Sequence, residues 1–243
     1  MRYKILFSYD GTAFFGYQVQ PGLRTVQEEL ERAVSYLNGQ KKTITVASGR
    51  TDRGVHALMQ VAHFDLQYPI PCFKIKRGLN SLLPDDIHVY QVEEVDSDFH
   101  ARYMAKSKTY NYRISMGEYN PLMRNYCYPL GKELDISLME EAAKVFLGRH
   151  DFRSFVDSED KRENTVREIY QITFERKGDF LDITFSGDGF MKYQVRNMVG
   201  ALILVGLGKR SKEEVEELLQ NKSRASAWKA APACGLYLEK VEY

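Results

Sequence analysis

The chain has 243 residues, of which 44% are hydrophobic and 28% charged, the composition of a folded globular protein; collagen-like, mucin-like and acidic low-complexity readings are excluded. Its 34 Lys and Arg nearly balance 33 Asp and Glu, so the net charge of +1 by itself points to no polyanionic partner. At roughly 100–200 residues per domain, the length allows one large domain or two small ones.

In chain order, Met1 to Phe7 begins at once as an alternating strand with no apolar leader segment, so a cytoplasmic protein is expected. Residues 3 to 9 continue that strand. Thr25-Val26-Gln27-Glu28 has the form of a capping box, ahead of a helix with Val26, Leu30, Ala33, Val34 and Leu37 on one face. Strands are expected at Thr43 to Ala47 and Gln60 to Leu66, joined by a glycine-bearing loop that holds Arg50, Asp52, Arg53 and His56. Ile75, Leu79, Leu82 and Leu83 suit a short helix, Pro84-Asp85-Asp86 ends it, and Ile87 to Val95 reads as a strand.

The second half repeats the order. A strand runs from Thr109 to Met116, and Ser137-Leu138-Met139-Glu140 opens a helix that stops at Gly148. Val166 to Glu175 and Phe180 to Ser186 alternate as strands around a Lys-Gly-Asp turn. Phe190 to Leu207 is a long helical candidate, Ser211-Lys212-Glu213-Glu214 caps another helix, and Gly235 to Tyr243 closes as a strand. The expected class is α+β, with two ferredoxin-like βαββαβ halves of mainly antiparallel sheet, residues 1–105 and 106–243, and a cleft where the sheet faces meet. The most continuous apolar stretch, Val199 to Leu207, is too short to cross a bilayer. Cys72, Cys127 and Cys234 form no CxxC pair and read as buried thiols.

Charge is distributed unevenly. Arg32, Lys41, Lys42, Arg50 and Arg53 stand in a window whose one acid is Asp52; Arg102, Lys106, Lys108 and Arg113 stand in a second, acid-free window; Lys192, Arg196, Lys209, Arg210 and Lys212 stand in a third. Such windows build either one positive face for a nucleic acid or three unrelated solvated stretches. Within Gly49-Arg50-Thr51-Asp52-Arg53-Gly54-Val55-His56-Ala57, one carboxylate lies between two arginines. Neighbouring cations favour its ionised form, as a nucleophile or base requires. An aspartate that caps a turn has the same spacing. His56, His63 and Asp65 match no common metal-ligand pattern, and Walker, dinucleotide and serine-hydrolase signatures are absent, so neither a metal nor a nucleotide cofactor is expected. Tyr110 and Tyr112 share a strand face and, with Lys108 and Arg113, suit either base stacking or a core role. Lys192 and Arg196, four apart, are expected on one helix face, away from Met191, Val195, Met198 and Val199.

These residues closely resemble the bacterial tRNA pseudouridine synthase A family over almost the whole length. The resemblance is carried by Tyr9-Asp10-Gly11-Thr12 with Gly16-Tyr17-Gln18, by the Gly49 to Ala57 segment, by Phe99-His100-Ala101-Arg102-Tyr103, by Lys108-Thr109-Tyr110-Asn111-Tyr112, by Phe190 to Gly200 and by Gly235-Leu236-Tyr237-Leu238. It implies isomerisation of uridine to pseudouridine at positions 38, 39 and 40 of the tRNA anticodon stem-loop, by a homodimer, with no metal or cofactor. Asp52 matches the catalytic aspartate, and Arg50 the residue that flips and holds the nucleotide. Tyr110 matches the tyrosine that stacks on the target base, and Arg196 the arginine that pairs with the aspartate across the cleft. RNA contacts are implied for His100, Arg102, Arg162 and Arg167, and the basic windows add Arg53, Lys106 and Lys108. Tyr17 and Tyr193 depart from the family pattern, which commonly has an indole and a histidine there. The competing expectations are a catalytically silent RNA-binding protein and a synthase for another RNA.

Overall fold

Tyr3, Ile5, Phe7 and Tyr9 alternate with outward-facing neighbours, so Arg2–Tyr9 forms a strand with one face buried, β1. The structure, a computed structural model, describes residues 1–157, 164–223 and 228–243; Arg162 lies outside the described residues. The chain divides into two compact units, Met1–Lys106 with Leu238–Tyr243, and Ser107–Tyr237. The sequence reading ended the first half at 105 and kept everything after it in the second; the structure places Leu238–Tyr243 with the first unit. Among the described residues no helix is long and apolar enough to cross a membrane.

The first unit continues with α1 (Val26–Leu37), β2 (Val46–Ala47), β3 (His56–Asp65), α2 (Cys72–Leu82) and β4 (Ile87–Val95), the βαββαβ order. β1 lies antiparallel between β3 and β4, and β2 pairs with β3. The closing strand Leu236–Glu242, numbered β10 in chain order, also lies beside β3. Expected strand Thr43 to Ala47 shortens to two residues because Thr43 and Thr45 are occupied by α1: Thr43 N–H donates to Ser35 Oγ and Thr45 N–H to Glu31 Oε1. Val26, Leu30, Ala33 and Val34 of α1 and Ile75 and Leu79 of α2 are buried, each contributing about 1.5–3 kcal/mol for a side chain of Val or Leu size. Thr25 is the N-cap of α1, but its side chain makes no capping bond, so the expected box is not formed.

On another side, Val61 packs against Phe99 and Ala101, with Leu6, Val95, Val241 and Tyr243 around them. This segment is fastened by polar bonds. Arg2 Nη1 donates to the carbonyls of Ser97 at 2.6 Å and Phe99 at 2.9 Å, and the Tyr243 hydroxyl donates to that of Ala101 at 2.6 Å.

The second unit runs β5 (Ser107–Ser115), β6 (Tyr128–Pro129), α3 (Ile136–Ala143), β7 (Gly148–Asp151), β8 (Val166–Lys177), β9 (Phe180–Gly187), α4 (Gln194–Gly206) and α5 (Lys212–Asn221). Its sheet order is β5-β9-β8-β7, antiparallel throughout, with β6 added parallel to β5. The short strands β6 and β7 were not expected. Asp135, not Ser137, caps α3, accepting from Leu138 N–H at 3.0 Å, and the helix ends at Ala143 rather than at Gly148, which begins β7. Ser211 and Glu214 form the expected capping box on α5. Cys127 is buried, whereas Cys72 and Cys234 are half-buried.

Buried on nearly every side, α4 is the centre of this unit. It begins at Gln194 and not at Phe190, because Tyr193 adopts a left-handed backbone with φ +64° that no α-helix continues through. Gly200 lets the helix lie directly against the backbone of Lys229: a Cβ there would stand 2.3 Å from the Lys229 carbonyl oxygen. Gly200→Ala is therefore expected to destabilise the protein by about 1–3 kcal/mol, read as a lower urea midpoint at unchanged slope.

Candidate active site

The turn that carries Asp52 has few apolar side chains to anchor it, and hydrogen bonds from the strands hold it instead. At its entrance Ser48 Oγ donates to Gln60 Oε1 at 2.7 Å, and Gln60 Nε2 donates to the Gly49 carbonyl at 3.1 Å. In its middle, Tyr9 and Thr51 share a hydroxyl hydrogen bond of 2.8 Å, and Tyr17 N–H donates to the Thr51 carbonyl at 3.1 Å. Val55 N–H closes the turn onto the Asp52 carbonyl at 3.1 Å, with Gly54 at φ +77°. Behind it, Gly11 N–H donates to His56 Nδ1 at 3.0 Å.

Two glycines permit these approaches. A Cβ at Gly11 would stand 2.0 Å from the Val55 carbonyl oxygen, and one at Gly16, at φ +94°, would stand 3.0 Å from that of Thr51. Burial pushes the Tyr9 hydroxyl up to about 12 and that of Tyr17 further still, so both stay neutral beside the turn. Asp52 itself is half-buried, flanked by exposed Arg50 and by exposed Arg53, whose guanidinium lies 4.3 Å from the centre of the Phe15 ring.

In the second unit Tyr110 sits on β5, buried, its ring edge-to-face with Phe190 at 5.2 Å. Tyr112 takes the core role: it is fully buried, and its hydroxyl donates to the Pro232 carbonyl at 2.8 Å. Arg113 pairs bidentately with Asp182 at 2.8 Å, so the two-tyrosine platform with Arg113 does not form. Arg196, on the first turn of α4, donates from Nε to the Ala231 carbonyl at 2.8 Å, and its own carbonyl accepts from Ala231 N–H at 2.9 Å. Lys192 lies outside the helix and pairs with buried Asp157.

Of the expected RNA contacts, Arg102 and Lys106 are exposed, while His100, Lys108 and Arg167 are half-buried. Nδ1 of His100 accepts from the N–H groups of Arg102 at 3.2 Å and Tyr103 at 3.3 Å, and its ring packs against those of Tyr103 at 4.2 Å and His63 at 5.0 Å, so the side chain shapes the turn. The residues drawn together as metal-ligand candidates are engaged separately: His56 with Gly11, Asp65 with Arg2 at 2.9 and 2.8 Å, and His63 with Ala101 N–H at 3.1 Å. Gln60, Tyr9 and Ala231 had no role in the sequence reading. Gln60 left a sequence signal as a polar residue at an inward position of β3, and Tyr9 stood in a motif that carried the resemblance without a role being read for it.

A sequence profile described as tRNA pseudouridine synthase matches residues 5–104 and 142–243 of this chain. Among curated proteins, the tRNA pseudouridine synthase A of Limosilactobacillus fermentum is 47% identical over 247 aligned positions, covering 100% of this chain and 96% of that one. Those of a Geobacillus species and of Streptococcus agalactiae are 44% and 45% identical, each across 100% of this chain and 98% and 95% of their own lengths.

Burial, followed by the Arg2 guanidinium, pushes the His63 imidazole from 6.5 down to about 4. Between those values the unfolded chain binds the proton and the folded one does not, so His63 makes stability fall as pH drops from about 6.5 to about 4. His63→Asn, which keeps an acceptor for Ala101 N–H, is expected to flatten this dependence when urea midpoints at pH 7 and pH 4.5 are compared.

Proposed function

The chain belongs to the tRNA pseudouridine synthase family, and on that premise we propose that it isomerises uridine to pseudouridine at positions 38, 39 and 40 of the tRNA anticodon stem-loop, as a cytoplasmic homodimer. The observation that carries this reading is the full-length correspondence with synthases of that name, joined to an aspartate on a turn whose backbone is fastened at Gly49 and at Thr51. The reaction breaks the N1–C1′ bond, turns the uracil, joins C5 to C1′ and moves the C5 proton off the ring while N1 gains one. Atoms balance with no external reagent, and the base must first leave the stack.

In this reading the residues of the 1–105 half supply the carboxylate. Asp52 acts ionised, whether it attacks C1′, attacks the ring or removes a sugar proton, since each route uses its lone pair. Arg50 holds the flipped nucleotide by its phosphate. From the 106–243 half, Tyr110 stacks on the uracil and assists loss of the C5 proton, and Arg196 keeps the aspartate charged and oriented. Arg53, His100, Arg102, Lys106, Lys108, Arg162 and Arg167 bind the RNA backbone.

The test is tritium release from tRNA transcribed with 5-tritiated uridine. The wild type is expected to release tritium, and Asp52→Asn to bind the tRNA with near-normal affinity while release falls by about 10²–10⁴-fold or more. Steady release by the variant would remove Asp52 from the chemical step. A wild type that binds tRNA without release would be the silent RNA-binding protein instead, and release from other RNAs alone would redirect the substrate. Arg102→Ala is expected to weaken binding and to lower the salt slope of log affinity by about 1.

A further inference from the structure

Arg196 is held by more than its helix. Its guanidinium carbon lies 4.7 Å from the centre of the Tyr193 ring, three residues earlier, while Nε is bonded to the Ala231 carbonyl. The ring is also within 5.0 Å of Lys192 Nζ, and Lys192 is tied to Asp157. Two cations therefore converge on one aromatic ring, and one of them is anchored at its far end.

The backbone beneath the ring is unusual. Tyr193 has φ +64° and ψ −4°, the left-handed region that bulky side chains rarely enter. Flanking bonds enforce it: Met191 N–H donates to Gln194 Oε1 at 2.9 Å, Gln194 N–H to the Met191 carbonyl at 3.1 Å, and Asn197 N–H to the Tyr193 carbonyl at 2.9 Å. A glycine or asparagine would hold this conformation with less strain, so an aromatic residue here needs a reason that lies in its side chain.

We infer that Tyr193 is a positioning residue for Arg196: its ring fixes the plane of the guanidinium while Ala231 fixes its Nε edge, so that the Nη edge is presented in one direction. The inference rests on the role given to Arg196 above. Stacking limits rotation about the last side-chain torsions, and an arginine fixed in this way loses little freedom when it meets an anion. Pre-setting the direction in the free enzyme removes a reorganisation step from the chemical barrier without adding any contact to the RNA.

The experiment compares single-turnover rates at saturating enzyme, the enzyme concentration giving half that rate, and thermal unfolding midpoints for Tyr193→Gly, Tyr193→Asn, Tyr193→Phe and Tyr193→His, with Arg196→Ala as the reference. Glycine and asparagine suit the left-handed backbone, so both variants are expected to fold with an unfolding midpoint close to that of the wild type. They are expected to lose about tenfold in the single-turnover rate, with an unchanged half-saturating concentration. Tyr193→Phe and Tyr193→His, which keep a planar ring, are expected to restore it, and Tyr193→Gly placed in an Arg196→Ala background to lose nothing further.

A raised half-saturating concentration at unchanged rate would make Tyr193 an RNA contact and overturn the inference. So would a loss of activity that follows a lowered unfolding midpoint, or no loss at all. An Arg196→Ala variant as fast as the wild type would instead overturn the role of Arg196, and a wild type without tritium release would overturn the reaction itself.

Discussion

A carboxylate on a short turn can be aimed only if the turn's own peptide groups are fixed, and here that fixing comes from side chains of distant strands. Gln60 is the centre of it. It is fully buried, receives Ser48 through Oε1 and returns a bond to Gly49 through Nε2. Its Oε1 also accepts from Val61 N–H at 3.1 Å, so a single amide ties the start of the turn to β3. Without these partners the buried Gln60 amide would be left unsatisfied, which costs about 1–3 kcal/mol against about 0.5–1.5 kcal/mol contributed by a typical bond. The neutral phenol of Tyr9 adds a second fastening that no change of pH near neutrality removes.

β1 links this turn to the other basic segment of the first unit. Its Tyr9 end reaches Thr51, and its Arg2 end reaches Phe99 and Ser97. At about 3.3 Å per residue, the two ends lie about 23 Å apart. The Asp52 turn and the Phe99–Ala101 segment are thus fastened to the same two paired strands, β1 and β3. In the proposed reading, the residues for chemistry and for phosphate contact share this frame, so that binding away from the reacting base would help to hold that base in place.

What was legible in the sequence follows from how local each signal is. Alternation in β1 and the capping box at Ser211 are complete within a few residues and read correctly. The start of α4 was misplaced because apolar spacing records burial: Met191 is buried as expected, yet the backbone turns left-handed two residues later. Asp135 and Ser137 are both good caps, and only the bond to Leu138 distinguishes them. Tyr112 has the same strand parity as Tyr110, and its core role is settled by Pro232, which is remote in the chain. At the Asp52 turn, the glycines and arginines stood out by residue type alone. Tyr9, Gln60 and Ala231 did not, since their function exists only once the strands or the helix they touch have paired.

The placement of Leu238–Tyr243 in the first unit bears on the order in which the molecule can be made. A ribosome delivers residues 1–106 well before these last strand residues, and until they emerge, β3 lacks the neighbour that lies beside it in the finished sheet. Ala101 then also lacks the Tyr243 hydroxyl, and Lys106 N–H lacks the Glu242 carbonyl that it meets at 2.8 Å. The nascent first unit therefore spends the synthesis of the whole second unit with an open sheet edge, the feature by which partly folded chains pair with one another. Vectorial synthesis makes the unit that begins first the one that finishes last, and its period of vulnerability is set by the translation time of residues 107–237.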